Sequence, residues 1–111
     1  MTQLPDLTIP LSALDFQDDA RAHATAENWD TTQIGVLLQQ VIAQHATGQL
    51  DEGDLHTVSV TFDVSAEAAT GSLVQFESRI DRKTRTLIFS SGLATQGGSV
   101  LLKATIVFRI A

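Results

Sequence analysis

From Thr31 to Thr47 the apolar positions fall three and four apart: Ile34, Leu37, Leu38, Val41 and Ile42, with His45 next in the series. That spacing places them on one face of a helix. Asp30 followed three residues later by Gln33 is a capping-box pattern, and Gly48 is a suitable stop, so a helix is predicted over about residues 31–47. Its remaining face carries Gly35, Val36, Gln39, Gln40, Ala43 and Gln44. Between Thr31 and Leu50 the single ionisable residue is His45. A helix on a solvated surface normally shows charge on its outer side. The pattern therefore predicts a helix covered on most sides, by a sheet wrapped around it and by a second subunit. Gly35 in the first turn costs about 1 kcal/mol relative to Ala. Close approach of another backbone or of a ligand is the expected reason for it.

The rest of the chain alternates with the period of strands. Pro5 and Pro10 predict an extended or irregular start. Short strands are expected over Leu11–Phe16 and Ala20–Ala26, with a turn at Asp18-Asp19. After the acidic loop Asp51–Asp54, four strands follow with no helix among them. His56–Val64 places Val58, Val60, Phe62 and Val64 on one side and Thr57, Ser59, Thr61 and Asp63 on the other. Leu73–Asp81, Arg85–Thr95 and Val100–Ile110 come next, with turns at Asp81–Thr84 and at Gln96-Gly97-Gly98, a strong hairpin signal. These strands exceed the usual length of about 5–6 residues. The expected architecture is α+β: one domain over residues 1–111, its long antiparallel sheet wrapped around one central helix. A cystatin-like sheet around one helix is the alternative, and it needs Ala20–Ala26 not to be a strand.

Charge is divided unevenly. Residues 1–70 hold eleven acids and one base, a balance of −10; residues 71–111 hold two acids and six bases, a balance of +4. The overall charge of −6 argues against nucleic-acid binding. The basic end suits a small anionic ligand, the acidic half of another subunit, or plain solvated strand edges. With no Cys there is no disulfide and no thiol nucleophile. The segment MTQLPDLTIP has no basic start or long apolar run, and no stretch approaches the ~18 apolar residues of a membrane span. A cytoplasmic protein with no membrane contact is the expectation. No phosphate-binding glycine loop, dinucleotide fingerprint or G-x-S-x-G nucleophile motif is present. His23 and His56 lack companions at ligand spacing, and Asp54 with His56 on one strand side makes only two ligands, so no metal and no cofactor is assigned.

The element order resembles the hotdog fold, and two segments carry the likeness. Ile34–Gln44, IGVLLQQVIAQ, is similar to the central-helix motif of hydroxyacyl-acyl-carrier-protein dehydratases at Gly35, Val36, Leu37 and Gln44. Thr70–Phe108 resembles the C-terminal half of phenylacetyl-CoA-type and 4-hydroxybenzoyl-CoA-type thioesterases at Gly71, Arg82, Arg85, Gly98 and Phe108. Together the resemblance spans about residues 10–110. It implies an acyl-CoA thioesterase-like protein acting on an acyl-CoA or acyl-carrier thioester, assembled as a homodimer or homotetramer with acyl sites where subunits meet. The departures are specific. Where such thioesterases often carry His-Gly-Gly at the helix start, this chain has Gln33 and Ile34 before Gly35. The helical Asp position is Ile42, the dehydratase Glu position is Gln40, and no His stands near Ala26. Dehydratase chemistry, which needs an acid/base pair, is not expected.

Thioester hydrolysis needs a polarised carbonyl and an attacking water or carboxylate. The first turn of the helix at Gly35 can polarise through its N–H groups and dipole, and Asn28 can add a side-chain donor. Asp30 is the candidate base or nucleophile, or it caps the helix and does nothing more. Gln33, Gln39 and Gln40 are candidate substrate contacts; their amides can hold a carbonyl or a water but cannot act as bases. Arg82, Lys83 and Arg85 are candidates for coenzyme A phosphates. His45 is expected to be a core histidine bonded to a backbone carbonyl. The absence of a helical acid supports a second reading: a non-catalytic hotdog protein that binds an acyl or aromatic ligand, or serves only in assembly.

Overall fold

The computed structural model describes residues 11–111; the expectation for Pro5 and Pro10 lies outside the described residues. Strands β1 (Asp15–Phe16) and β2 (Arg21–Thr25) precede helix α1 (Thr31–Thr47). Strands β3 (Leu55–Val64), β4 (Leu73–Lys83), β5 (Leu87–Gln96) and β6 (Ser99–Ile110) follow it. All six strands form one antiparallel sheet in the order β1-β2-β4-β5-β6-β3. The strand expected over Leu11–Phe16 shrinks to two residues. Leu11–Ala13 closes a 3-10 turn instead, with Leu14 N–H donating to Leu11 O at 3.2 Å. At the β1–β2 turn Asp18 accepts from Arg21 and from the Ala20 N–H. The Arg21 guanidinium holds the Asp18 carboxyl below its ordinary pKa. That pair therefore favours the fold above the ordinary carboxylate range, and the contribution is lost as pH falls through the depressed value.

Helix α1 starts where the pattern places it. Asp30 Oδ1 accepts from Gln33 N–H at 2.9 Å, and Gln33 Oε1 accepts from Asp30 N–H at 3.0 Å. The end differs in detail. Gly48 keeps right-handed dihedrals, and the chain unwinds through Gln49 N–H to Ala46 O and Leu50 N–H to Thr47 O. The apolar stripe Ile34, Leu37, Leu38, Val41, Ile42 and Ala46 is buried. It packs against the inner faces of β4, β5 and β6, chiefly Val74, Phe76, Ile88, Leu102, Ala104, Ile106 and Phe108. Gly92 on β5 lets the helix come close, since a Cβ there would lie 2.7 Å from Ile42 Cδ1 and 2.8 Å from the Glu77 carbonyl.

The register shifts three times: at Thr57/Ser59 in β3, at Ile80/Arg82 in β4, and at Ala94/Thr95 opposite β6. Such bulges bend a strand and add local twist. The first corrects the sequence reading of β3. Val58 is the extra residue, 61% exposed, and does not share a side with Val60. Val60, Phe62 and Val64 do face the helix side. Yet β3 is the sheet edge and α1 packs chiefly over β4 to β6, so Phe62 and Val64 remain open.

Candidate functional site

A groove of about 280 Å³ opens between the first two turns of α1 and the edge of the sheet. Thr31, Thr32, Gly35, Val36 and Gln39 line it from the helix; Phe62, Val64 and Leu102 line it from β3 and β6. Gly35 forms its floor. The nearest neighbours of a Cβ at Gly35 would be the Phe62 ring at 3.5 Å and Leu102 at 3.6 Å, ordinary contact distances. Among the described residues the atoms nearest to that Cβ belong to side chains and not to backbone, so close backbone approach, one of the two expected reasons for the glycine, is not what is found there.

The polar equipment of the groove differs from the sequence expectation. The capping box uses the N–H groups of Asp30 and Gln33, and Ile34 N–H donates to Asp30 O. The first-turn amides left for a ligand are those of Thr31 and Thr32. Gly35 lies a turn further in, where helical N–H groups are bonded within the helix; its contribution is open space. Gln39 lines the groove, whereas Gln40 is exposed outside it. Gln33 is committed to the capping box. Asp30 is exposed at the helix start, adjacent to the lining residues but not among them, with one oxygen engaged as a cap. Asn28 takes a left-handed φ of 61°, and its Oδ1 accepts from Thr70 Oγ1 at 3.4 Å. Among the described residues, no ionisable side chain lines the groove.

The protein-family models and the curated proteins contain no match to this chain. Solved structures do match. A phenylacetic acid degradation-related protein of Ralstonia eutropha JMP134 superposes with a TM-score of 0.75 at 18% identity, over 95% of this chain and 93% of that one. A hypothetical thioesterase of Streptococcus pneumoniae TIGR4, solved with coenzyme A, gives 0.76 at 13% identity, over 91% and 90%. Zebra fish thioesterase superfamily member 2 gives 0.77 at 10% identity, over 88% and 80%. The chain has the hotdog fold. Identities this low establish the architecture and leave the chemistry to the residues.

Within this hotdog the basic turn lies far from the groove. Lys83 Nζ donates to Gln49 O at 3.0 Å, just beyond the C-terminal end of α1. The 17-residue helix spans about 25 Å at 1.5 Å per residue, and the groove lies at its other end. One chain therefore does not bring Arg82, Lys83 and Arg85 to Gly35. His45 also departs from expectation: its Nδ1 pairs with the Ser78 hydroxyl at 2.9 Å rather than with a backbone carbonyl. The signal for that pair was Ser78, a serine on the apolar side of an alternating strand. Among the described residues, no group of three or more His, Asp or Glu side chains gathers at metal-binding spacing. No helix there is long and apolar enough to cross a membrane.

Proposed function

We propose that this protein receives an acyl thioester in the groove at the start of α1 and hydrolyses it. The supporting observation is an apolar, uncharged groove ending at free first-turn amides. The acyl group lies against Val36, Phe62, Val64 and Leu102. The thioester oxygen faces the Thr31 and Thr32 N–H groups, where the helix dipole favours developing negative charge, and Gln39 offers an amide. Asp30 keeps its cap through one oxygen and uses the other as base. It takes a proton from water as the water oxygen bonds to the carbonyl carbon; the carbon–sulfur bond then breaks, and the leaving sulfur takes that proton from Asp30 to depart as the thiol. The groove is completed by a second copy laid antiparallel along β3. Its two ends are then exchanged, so that copy's Arg82, Lys83 and Arg85 are carried toward this groove, where they meet coenzyme A phosphates. The open edge strand and the uncharged outer side of α1 support that assembly. Sedimentation should show association at micromolar concentration; a stable monomer there would overturn it.

Thiol release from a panel of short, long and aromatic acyl-CoAs tests the hydrolysis. The chain has no Cys, so a thiol-reactive dye meets no protein background. Asp30→Asn is the informative variant, because Asn caps a helix as well as Asp. Turnover should fall about 100-fold or more, the scale of a lost general base, with the melting temperature unchanged. Asp30→Ala should also cost about 1 kcal/mol of stability through the lost cap. One observation favours the non-catalytic reading: the groove has no ionisable lining and Asp30 is already engaged. Saturable acyl-CoA binding by calorimetry without thiol release from any member would decide for it.

A further inference from the structure

The segment 65–72 between β3 and β4 reads Ser-Ala-Glu-Ala-Ala-Thr-Gly-Ser, mostly residues too small to anchor themselves. Its anchors come from elsewhere. The Ser65 and Ala66 N–H groups both donate to Leu101 O, at 2.8 and 3.2 Å, which ties its start to β6. At its far end Gly71 N–H donates to Ala26 O at 2.8 Å, Ala26 N–H donates to Ser72 O at 3.0 Å, and Thr70 Oγ1 donates to Asn28 Oδ1 at 3.4 Å. Midway stands Ala69, and one side chain takes both of its backbone groups. Gln96 Oε1 accepts from Ala69 N–H at 2.8 Å, and Gln96 Nε2 donates to Ala69 O at 2.9 Å. The same Nε2 donates to Ser72 O at 3.3 Å. A primary amide carries a donor and an acceptor side by side, so Gln96 pairs with Ala69 as a neighbouring strand would. Gln96 ends β5, beside the Gly97-Gly98 turn.

The strap fastened in this way joins two walls of the groove. It leaves Val64, a lining residue, and returns against Ala26 and Asn28, just ahead of Asp30. There the chain turns sharply: Asn28 takes its φ of 61°, Trp29 enters the core, and Asp30 comes out to cap α1. A positive φ in a residue other than glycine persists where its surroundings hold it, and the Thr70 and Ala26 bonds supply that hold. We infer that Gln96 is a positioning residue for the proposed hydrolysis. Through the strap and Asn28 it sets where Asp30 and the Thr31 and Thr32 amides stand relative to Val64 and Phe62. Gln96 is not among the lining residues of the groove. The inference rests on the hydrolytic reading of that groove. It also separates two effects. The base lies on the held segment, whereas the acyl contacts Val36, Phe62 and Leu102 lie on α1, β3 and β6. Loss of Gln96 therefore acts on kcat rather than on KM.

The test pairs amide hydrogen exchange with kinetics in Gln96→Ala and Gln96→Met. Alanine removes all three bonds; methionine removes them and keeps the length of the side chain, so the pair separates bonding from packing. In both, exchange at the Ala26 and Gly71 amides, neither of which Gln96 touches, should quicken about tenfold or more, the scale of one or two hydrogen bonds lost. Amides of the β5–β6 ladder should keep their wild-type rates, whereas a general loss of stability would move both sets. On the best acyl-CoA of the panel, kcat should fall on the order of 10- to 100-fold, the cost of a slightly misplaced base, with KM nearly unchanged. In an Asp30→Asn background the same substitutions should cost little more, because the group they misplace is already gone. Unchanged exchange at Ala26 and Gly71, a full kcat loss repeated in the Asp30→Asn background, or a methionine variant that behaves as wild type would overturn the inference. Wild-type protein that turns over beside an equally active Gln96→Ala overturns this role alone. Wild-type protein that releases no thiol from any acyl-CoA overturns the hydrolytic reading and this role with it.

Discussion

Gly92→Ala is expected to lower the stability of this protein by about 1–3 kcal/mol, the usual cost of overpacking a close-packed core. The added Cβ would lie 2.7 Å from Ile42 Cδ1, 2.9 Å from Ile42 Cγ1 and 2.8 Å from the Glu77 carbonyl oxygen. Ile42 is fully buried and cannot swing into solvent. Glu77 is held in register by β2 on one side and β5 on the other, so its carbonyl cannot retreat without breaking a ladder. Thermal unfolding should show a midpoint roughly 5–20 °C lower. Adding Ile42→Val should recover part of the loss, since it removes Cδ1 but leaves the carbonyl contact. A Gly92→Ala protein melting with wild type would mean that α1 stands further from β5 than described.

Gly35→Ala should do the reverse. The space above Gly35 admits a methyl group at ordinary contact distances, and alanine is the better helix former by about 1 kcal/mol. The fold should be as stable as wild type or more so. Acyl-CoA turnover or binding, in contrast, should fall at least tenfold, because the methyl group occupies the groove floor beside the first-turn amides. Calorimetric titration next to a thermal melt reads both effects on one sample. If binding survives with the stability gain, the ligand does not approach the helix at Gly35. The two glycines look alike in the sequence, and their neighbours separate them: a Cβ at Gly92 would collide with Ile42 and the Glu77 carbonyl, whereas one at Gly35 would not.

Much of the architecture could be read from local patterns. The helix was predicted over about 31–47 because its signals are local: an Asp30–Gln33 reciprocal cap and an apolar stripe spaced at three and four. The hairpin at Gly97-Gly98 was equally legible, since both residues take the positive φ that the turn demands. The bulge at Val58 was not, because valine fits the alternation and the extra residue appears only when β3 meets β6. Leu11–Ala13 read as strand for a similar reason: an apolar run does not reveal whether a partner strand is available. At the site, Gly35 was singled out by its helix cost, but Thr31 and Thr32 were missed. Of the first-turn amides, the capping box takes those of Asp30 and Gln33 and leaves those of Thr31 and Thr32. The distance between the basic turn and Gly35 is a property of topology, and nothing in the spacing of residues 35 and 82 conveys it.

The position of β3 at the sheet edge, where among the described residues it pairs with β6 alone, bears on how the chain folds. The hairpins β4–β5 and β5–β6 can form as soon as their short turns close. β3 has no neighbour in sequence to pair with and must wait until β6 is in place, the slow kind of long-range closure. Until then Val60, Phe62 and Val64 lie on a strand with both edges free, the condition under which nascent chains associate wrongly. Substitutions that slow the β5–β6 hairpin should therefore reduce the yield of folded protein more than they reduce its stability once folded.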